Sequence, residues 1–151
     1  MKIVITGAVG HIGSFLIRDL AIHFPGVNIV MIDNMMTQRF SSLFNLPKTG
    51  NFQFIEGDVR TLNLNSIFEG ADSIIHLAAI TDAAGSFDKK VEVEENNYIS
   101  TLKVVNACLE TNSKLITLSS TSVYGTQNEV VDEECGDDEL QPQSPYAETK
   151  L

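Results

Sequence analysis

No stretch of about 18 apolar residues occurs in this chain, which excludes a membrane-spanning helix. Bases are few: 10 lysines and arginines against 20 acids leave a net charge of −10. Nucleic-acid binding depends on cations meeting phosphates, so this balance argues against a nucleic-acid partner. Cysteine is scarce as well. Cys108 and Cys135 form no CxxC pair, so neither a disulfide framework nor a zinc site is expected, and a reducing cytoplasm is the default. Cys108, within "VVNACLE", reads as a small buried hydrophobe. The opening "MKIVITGAVG" lacks the long apolar region and cleavage site of a signal peptide. The three histidines have no metal-site spacing. His76 ends an apolar strand, His23 reads as a surface helix residue, and His11 lies in a glycine-rich turn. No metal is expected.

What is present alternates. Short apolar, β-branched runs at 2–6, 28–33, 52–57, 72–79 and 114–120 read as strands. Helical periodicity falls between them at 11–24, 61–70 and 92–112. In the first helix Ile12, Phe15, Leu16, Leu20 and Phe24 share roughly one face. In the longest, Tyr98, Leu102, Val105 and Leu109 recur at helical spacing. Residues 34–50 are rich in Ser, Thr, Asn, Pro and Gly, with one helical turn expected near 41–44. Residues 80–91 read as loop, and so does most of the chain beyond Thr121. Strands alternating with helices imply an α/β fold: a Rossmann-type parallel sheet, strand order 3-2-1-4-5. At 151 residues one domain is expected. The segment "EVVDEECGDDE" (129–139) holds seven acids and no base, which reads as a solvated loop.

"ITGAVGHIGS" carries Gly7, Gly10 and Gly13 directly after a strand and at the opening of a helix. That context suits a dinucleotide. Gly7 makes the tight turn, Gly10 lets backbone approach a pyrophosphate, and Gly13 permits close helix–strand packing. The anion then lies at the positive end of the helix. Asp33 ends the second strand, twenty residues beyond Gly13, where a carboxylate accepts from both adenosine ribose hydroxyls. A 2′-phosphate would face it negative against negative, so NAD is favoured; Arg39 lies close enough in sequence to keep NADP open.

After the fifth strand comes "LSSTSVYG" (118–125), and the chain closes with "PQSPYAETKL" (142–151). Ser144 suits an N-cap, Pro145 the first helical position, and Tyr146 and Lys150 lie four residues apart. With "TGAVGHIG", "DN" (33–34), "EGDVR" (56–60), "HLAA" (76–79) and "NN" (96–97), these motifs resemble the extended short-chain dehydrogenase/reductase family in its NAD-dependent epimerase/dehydratase branch. The resemblance runs the whole length of the chain. UDP-galactose 4-epimerases have counterparts of "GDVR", "VYG" and "PQSPY" that look alike.

The resemblance implies roles residue by residue. Gly7, Gly10, Ile12 and Gly13 would surround the pyrophosphate of NAD, with His11 packing over the cofactor. Asp33 and Asn34 would hold the adenosine ribose, and Asp58 and Val59 would flank the adenine. Leu77, Ala78 and Ala79 would line the cofactor path, and Asn97 would contact the nicotinamide side or nearby loops. Ser120, Tyr146 and Lys150 would form the reactive set, with Tyr146 and Lys150 also touching the cofactor. A tyrosine near pKa 10 is a poor base at neutral pH; a lysine one turn away and a positive nicotinamide ring would favour phenolate. Two departures bear on the substrate. Thr121 and Ser122 stand where many sugar-nucleotide dehydratases have an Asp-Glu pair, and Thr81 and Asp82 stand near where the 4-epimerases usually place a lysine.

The expected function is an NAD-dependent epimerase or dehydrogenase acting on a nucleotide sugar, homodimeric through the helix at 92–112 and the terminal helix. The chain itself is expected to be a C-terminally truncated, inactive amino-terminal part of it. The alternatives are a non-catalytic dinucleotide-binding or sensing module, or an amino-alcohol dehydrogenase or nucleotide-sugar decarboxylase on the same scaffold.

Overall fold

A computed structural model describes residues 1–127 and 130–151. Glu129, the first acid of the 129–139 run, lies outside the described residues. The chain divides into two compact units: residues 1–78 with 100–117, and residues 79–99 with 118–151.

The first unit contains the whole sheet. Its strands are β1 (Lys2–Thr6), β2 (Asn28–Asp33), β3 (Asn51–Glu56), β4 (Ser73–His76) and β5 (Lys114–Thr117), all parallel, in the order β3-β2-β1-β4-β5. This is the expected Rossmann order. Its helices are α1 (His11–His23), α2 (Leu64–Phe68) and α4 (Ser100–Thr111); α3 (Lys90–Glu94) belongs to the second unit. The central strands are near-continuous apolar runs because both faces are covered. Val4, Val30, Ile32 and Ile74 face one way, onto Leu64 and Phe68 of α2 and Val104, Ala107 and Cys108 of α4. Ile3, Ile5, Ile29, Met31 and Ile75 face the other, onto Ile17 and Ala21 of α1. Phe68 is wholly buried; burial of such a side chain contributes about 1.5–3 kcal/mol.

The helices bury other residues than their apolar spacing suggests. In α1 the buried row is Gly13, Ile17 and Ala21, while Ile12, Phe15 and Phe24 are exposed. The close approach at Gly13 turns that row to the sheet and leaves Leu16 and Leu20 at its edge. In α4 the buried residues are Ser100, Val104, Ala107 and Cys108, so Leu102 and Leu109 mark the outer face. The stretch expected as one helix over 92–112 is divided into α3, a π turn over Glu95–Ile99, and α4.

Strands β4 and β5 stop three residues before the apolar pattern does. β1 leaves the sheet at Gly7, so the row Thr6–His76–Thr117 is the last that can pair. Leu77 and Ala78 then donate to the carbonyl and hydroxyl of Thr6, at 3.0 and 3.3 Å. α2 is shorter than expected as well; Asn63 caps it, and Gly70, at φ +68°, follows its end.

The second unit holds α3, the π turn, short 3-10 turns at Gly85–Phe87, Thr121–Tyr124 and Asp137–Glu139, and α5 (Pro145–Glu148). Ser144 caps α5 by accepting from the Ala147 N–H at 3.1 Å, with Pro145 in the first turn, as its sequence suggests. Among the described residues no helix is long and apolar enough to cross a membrane.

Candidate functional site

The glycine turn lies in the first unit, between β1 and α1. Gly7 has φ +66°, and a Cβ there would lie 2.6 Å from the Ala78 nitrogen and 2.7 Å from the Leu77 carbonyl carbon. A Cβ on Gly13 would lie 2.7 Å from the Ala8 oxygen. These two glycines are required by protein backbone. Gly10 differs: its φ is −63°, and a Cβ would meet only the Gly7 oxygen, at 3.2 Å. No side chain caps α1 and no acid stands in its first turn, so an anion placed there would meet no competing carboxylate from that turn. His11 and Ile12 are exposed on that turn.

Asp33 is buried at the end of β2. Its Oδ2 accepts from the Val9 N–H at 3.1 Å and its Oδ1 from the Met35 N–H at 2.9 Å. The carboxylate is thereby held beside the glycine turn, with lone pairs left on both oxygens for hydroxyl donors. Asn34 is exposed next to it and donates to Asp58 Oδ2 at 3.5 Å. Asp58 in turn is gripped by Arg60, Nε to Oδ1 at 3.0 Å and Nη2 to Oδ2 at 2.7 Å. The Arg60 hydrogen bond, with further help from its backbone N–H and charge, outweighs burial and lowers the Asp58 pKa to about 2. The Val59 side chain belongs to the core. Leu77 and Ala78 are half-buried where β4 leaves the ladder. His76 is structural: Nδ1 pairs with Thr6 Oγ1 at 2.6 Å and Nε2 with Thr101 Oγ1 at 3.2 Å. His23 is exposed and lies beside Asp19.

The second unit carries the reactive candidates. Ser120 Oγ lies 2.8 Å from Ser122 Oγ and accepts from the Ser122 N–H at 3.2 Å. Tyr146 is half-buried in α5, its N–H donating to Ser86 Oγ at 3.3 Å. Lys150 Nζ stands 6.0 Å from the centroid of the Tyr146 ring, at the limit of a cation–π contact. Burial pulls the Lys150 amine below its ordinary pKa. Lys150 also joins the segment bearing Ser120 to the segment bearing Tyr146. Its Nζ donates to the Leu118 carbonyl at 3.4 Å, and its own carbonyl accepts from Ser119 Oγ at 3.0 Å.

Asn97 is buried in the π turn. Its amide clasps Ile80, accepting from the N–H at 2.8 Å and donating to the carbonyl at 3.0 Å, and it donates to Thr149 Oγ1 at 3.1 Å. It therefore holds the loop that contains Ala79 and the turn that contains Lys150. An open cleft of about 360 Å³ lies nearby, lined by Lys90, Glu94, Tyr98, Pro145, Glu148 and Thr149; it includes none of the reactive candidates. No cluster of metal-binding side chains occurs among the described residues.

Sequence reasoning did not single out Val9, Met35, Ser86, Ser122, Thr149 or Arg60 as site residues. Arg60, Met35 and Ser122 each lie two residues beyond the group they contact, and of these Arg60 alone carried a signal in residue type, a base after Asp58; Val9, Ser86 and Thr149 meet partners distant in sequence.

The profile of the NAD dependent epimerase/dehydratase family matches residues 3–151. An uncharacterized UDP-glucose epimerase of Bacillus subtilis is 35% identical over all of this chain and 49% of its own length. A trifunctional UDP-glucose 4,6-dehydratase/UDP-4-keto-6-deoxy-D-glucose 3,5-epimerase/UDP-4-keto-L-rhamnose-reductase of Arabidopsis thaliana is 35% identical over 99% of this chain and 23% of its own length. Among solved structures, a UDP-glucuronic acid 4-epimerase from Bacillus cereus, in complex with UDP-glucuronic acid and NAD, superposes with a TM-score of 0.87 at 32% identity, over 99% of this chain and 49% of that one. The chain thus spans about half the length of the Bacillus relatives it matches.

Proposed function

The chain belongs to the NAD-dependent epimerase/dehydratase family, and on that premise we propose that it supplies the cofactor-binding and reactive residues of an NAD-dependent nucleotide-sugar 4-epimerase. The observation that carries the reading is the Asp33 carboxylate, tied by its Val9 contact to a glycine turn that no side chain caps. An uncapped helix start receives a diphosphate, and a neighbouring carboxylate receives a ribose diol. Gly7, Gly10 and Gly13 with the first turn of α1 would hold the pyrophosphate, Asp33 and Asn34 the adenosine ribose, and the Asp58–Val59 backbone the adenine edge. Leu77, Ala78, Ala79 and Asn97 would serve the nicotinamide half.

NAD, when bound, supplies reversible hydride acceptance. The residues of this chain supply the proton chemistry. Tyr146 would take the proton of a sugar hydroxyl, with Lys150 favouring the phenolate and Ser120 donating to the same oxygen as it becomes a carbonyl. With Ser122 as the donor of the Ser120–Ser122 hydroxyl pair, the Ser120 proton would be left for that oxygen. Thr121 and Ser122 offer no carboxylic acid for the loss of water, which favours epimerisation over dehydration. The exposed Leu102 and Leu109 suit the homodimer this reading includes.

The test uses the full natural protein that carries this chain, with NAD and a panel of UDP-sugars. Tyr146→Phe is expected to keep NAD affinity within a few-fold and to lower turnover at least 10²-fold, the scale of a lost general base. Turnover near that of the unaltered protein would overturn the assignment of Tyr146. Absence of NAD binding in the unaltered protein would overturn the reading as a whole.

A further inference from the structure

Arg18 lies on α1, one turn beyond the residues that face the anion site, and its guanidinium ties that helix to the loop after β2. Nη1 donates to the Ser14 carbonyl at 2.5 Å; Nη2 donates to the carbonyls of Ser42 at 3.0 Å and Phe44 at 2.8 Å. Ser42 is tied in turn to the glycine turn, its hydroxyl donating to the Val9 carbonyl at 3.0 Å. The Val9 N–H donates to Asp33 Oδ2, and Asp33 Oδ1 accepts from Met35. These contacts close a circuit: Val9, Asp33, Met35, the segment 35–42, Ser42, and Val9 again. Arg18 locks it from outside.

The segment inside the circuit is held in an uncommon shape. Met35 and Gln38 have φ of +56° and +52°, and Asn45 just beyond has +53°. Such residues persist where the surroundings over-determine them, and they gather at ligand clamps. Met35 is also buried. One hydrogen bond orients each oxygen of the Asp33 carboxylate, and the one from Val9 comes from the residue whose carbonyl Ser42 holds.

We propose that Arg18 is a positioning residue for the cofactor: through Ser42 and Val9 it fixes the Asp33 carboxylate and so the preference for a free ribose 2′-hydroxyl over a 2′-phosphate. The proposal rests on the NAD reading above. Arg39 lies within the segment 35–42, a strap beside the glycine turn, half-buried, and its side chain makes no hydrogen bond or ion pair among the described residues. A loosened strap lets Arg39 turn to a 2′-phosphate while Asp33 loses its alignment. Both effects narrow the margin between NAD and NADP. Lysine does not substitute, since it presents its donors from one nitrogen rather than from a planar fork.

The experiment titrates NAD and NADP into the full natural protein and its Arg18→Met, Arg18→Lys and Ser42→Ala variants, with amide hydrogen exchange of each without cofactor. Arg18→Met is expected to weaken NAD binding about tenfold, to narrow the NAD-to-NADP ratio at least threefold, and to speed exchange at Val9 and Met35. Arg18→Lys is expected to follow Arg18→Met, and Ser42→Ala to shift the same ratio in the same direction by less. A merely structural Arg18 lowers thermal stability and leaves the ratio alone; an unchanged ratio in Arg18→Met overturns the proposal. Should Arg18→Met fail to fold, Ser42→Ala decides: an unchanged ratio there overturns it as well. Unaltered protein that binds neither dinucleotide overturns the cofactor reading and this inference with it, whereas variants that bind NAD like the unaltered protein overturn this inference alone.

Discussion

Gly7→Ala tests whether the glycine turn is shaped by backbone contact or only by backbone conformation. Two costs add at this position. The φ of +66° places an L-residue in the left-handed region, at about 1–2 kcal/mol. The new methyl then lies 2.6–2.8 Å from the Leu77–Ala78 backbone, which belongs to the exit of β4 and cannot swing away like the end of a flexible side chain. Overpacking of that kind costs about 1–3 kcal/mol. The sum is about 2–5 kcal/mol, a large share of a domain's total stability. Gly26→Ala is the matched control: its φ is +83°, and nothing lies within 4 Å of a Cβ there. It should cost only the conformational part, about 1–2 kcal/mol. With a urea m-value of about 2 kcal/mol/M, Gly7→Ala should lower the unfolding midpoint by about 1–2.5 M and Gly26→Ala by about 0.5–1 M. Equal shifts for the two variants would refute the argument, because the contact with β4 would then contribute nothing.

Two further predictions concern the polar framework. The Asp58 pKa is depressed to about 2, so its contribution to stability is complete above the ordinary carboxylate value of 3.8 and is lost as pH falls toward 2. After allowance for solvent screening that contribution is about 1 kcal/mol. Asp58→Asn should therefore be less stable by about that amount at pH 7 and should converge on the unaltered protein at pH 2; denaturant curves that stay parallel over that range would count against the Arg60 pairing. Asn97→Leu keeps the branched outline, with bulkier methyl groups, but abandons Ile80 and Thr149, at about 2–4 kcal/mol for partners left unpaired. Thermal unfolding within a degree or two of the unaltered protein would show that the clasp is dispensable.

Much of the architecture can be read from local pattern because local physics decides it. Apolar runs covered on both faces, separated by helical periods and polar turns, leave a parallel sheet as the consistent solution, and Gly7, Gly10 and Gly13 at that position mark the candidate anion end. The misread features are those set by partners distant in sequence. The strand ends at His76 and Thr117 follow from where β1 departs, which the apolar runs around them do not encode. The apolar residues at 12, 15, 16, 20 and 24 suggest one face, yet the close approach at Gly13 brings the row 13, 17 and 21 to the sheet.

The candidate site divides in the same way. Residue type and order along the chain determined which groups are candidates for the proposed chemistry: the glycine turn, Asp33 at a strand end, Ser120 after the last strand, and Tyr146 and Lys150 one turn apart behind a Ser-Pro start. Only the tertiary structure decided how those groups are held. Asp33 is aimed by the backbone of Val9 and Met35, Asn97 grips Ile80 and Thr149, and Arg18 reaches Ser42 and Phe44 across the loop. Backbone amides and carbonyls are present at every residue, so nothing in the sequence distinguishes those that will meet; chain packing alone selects them.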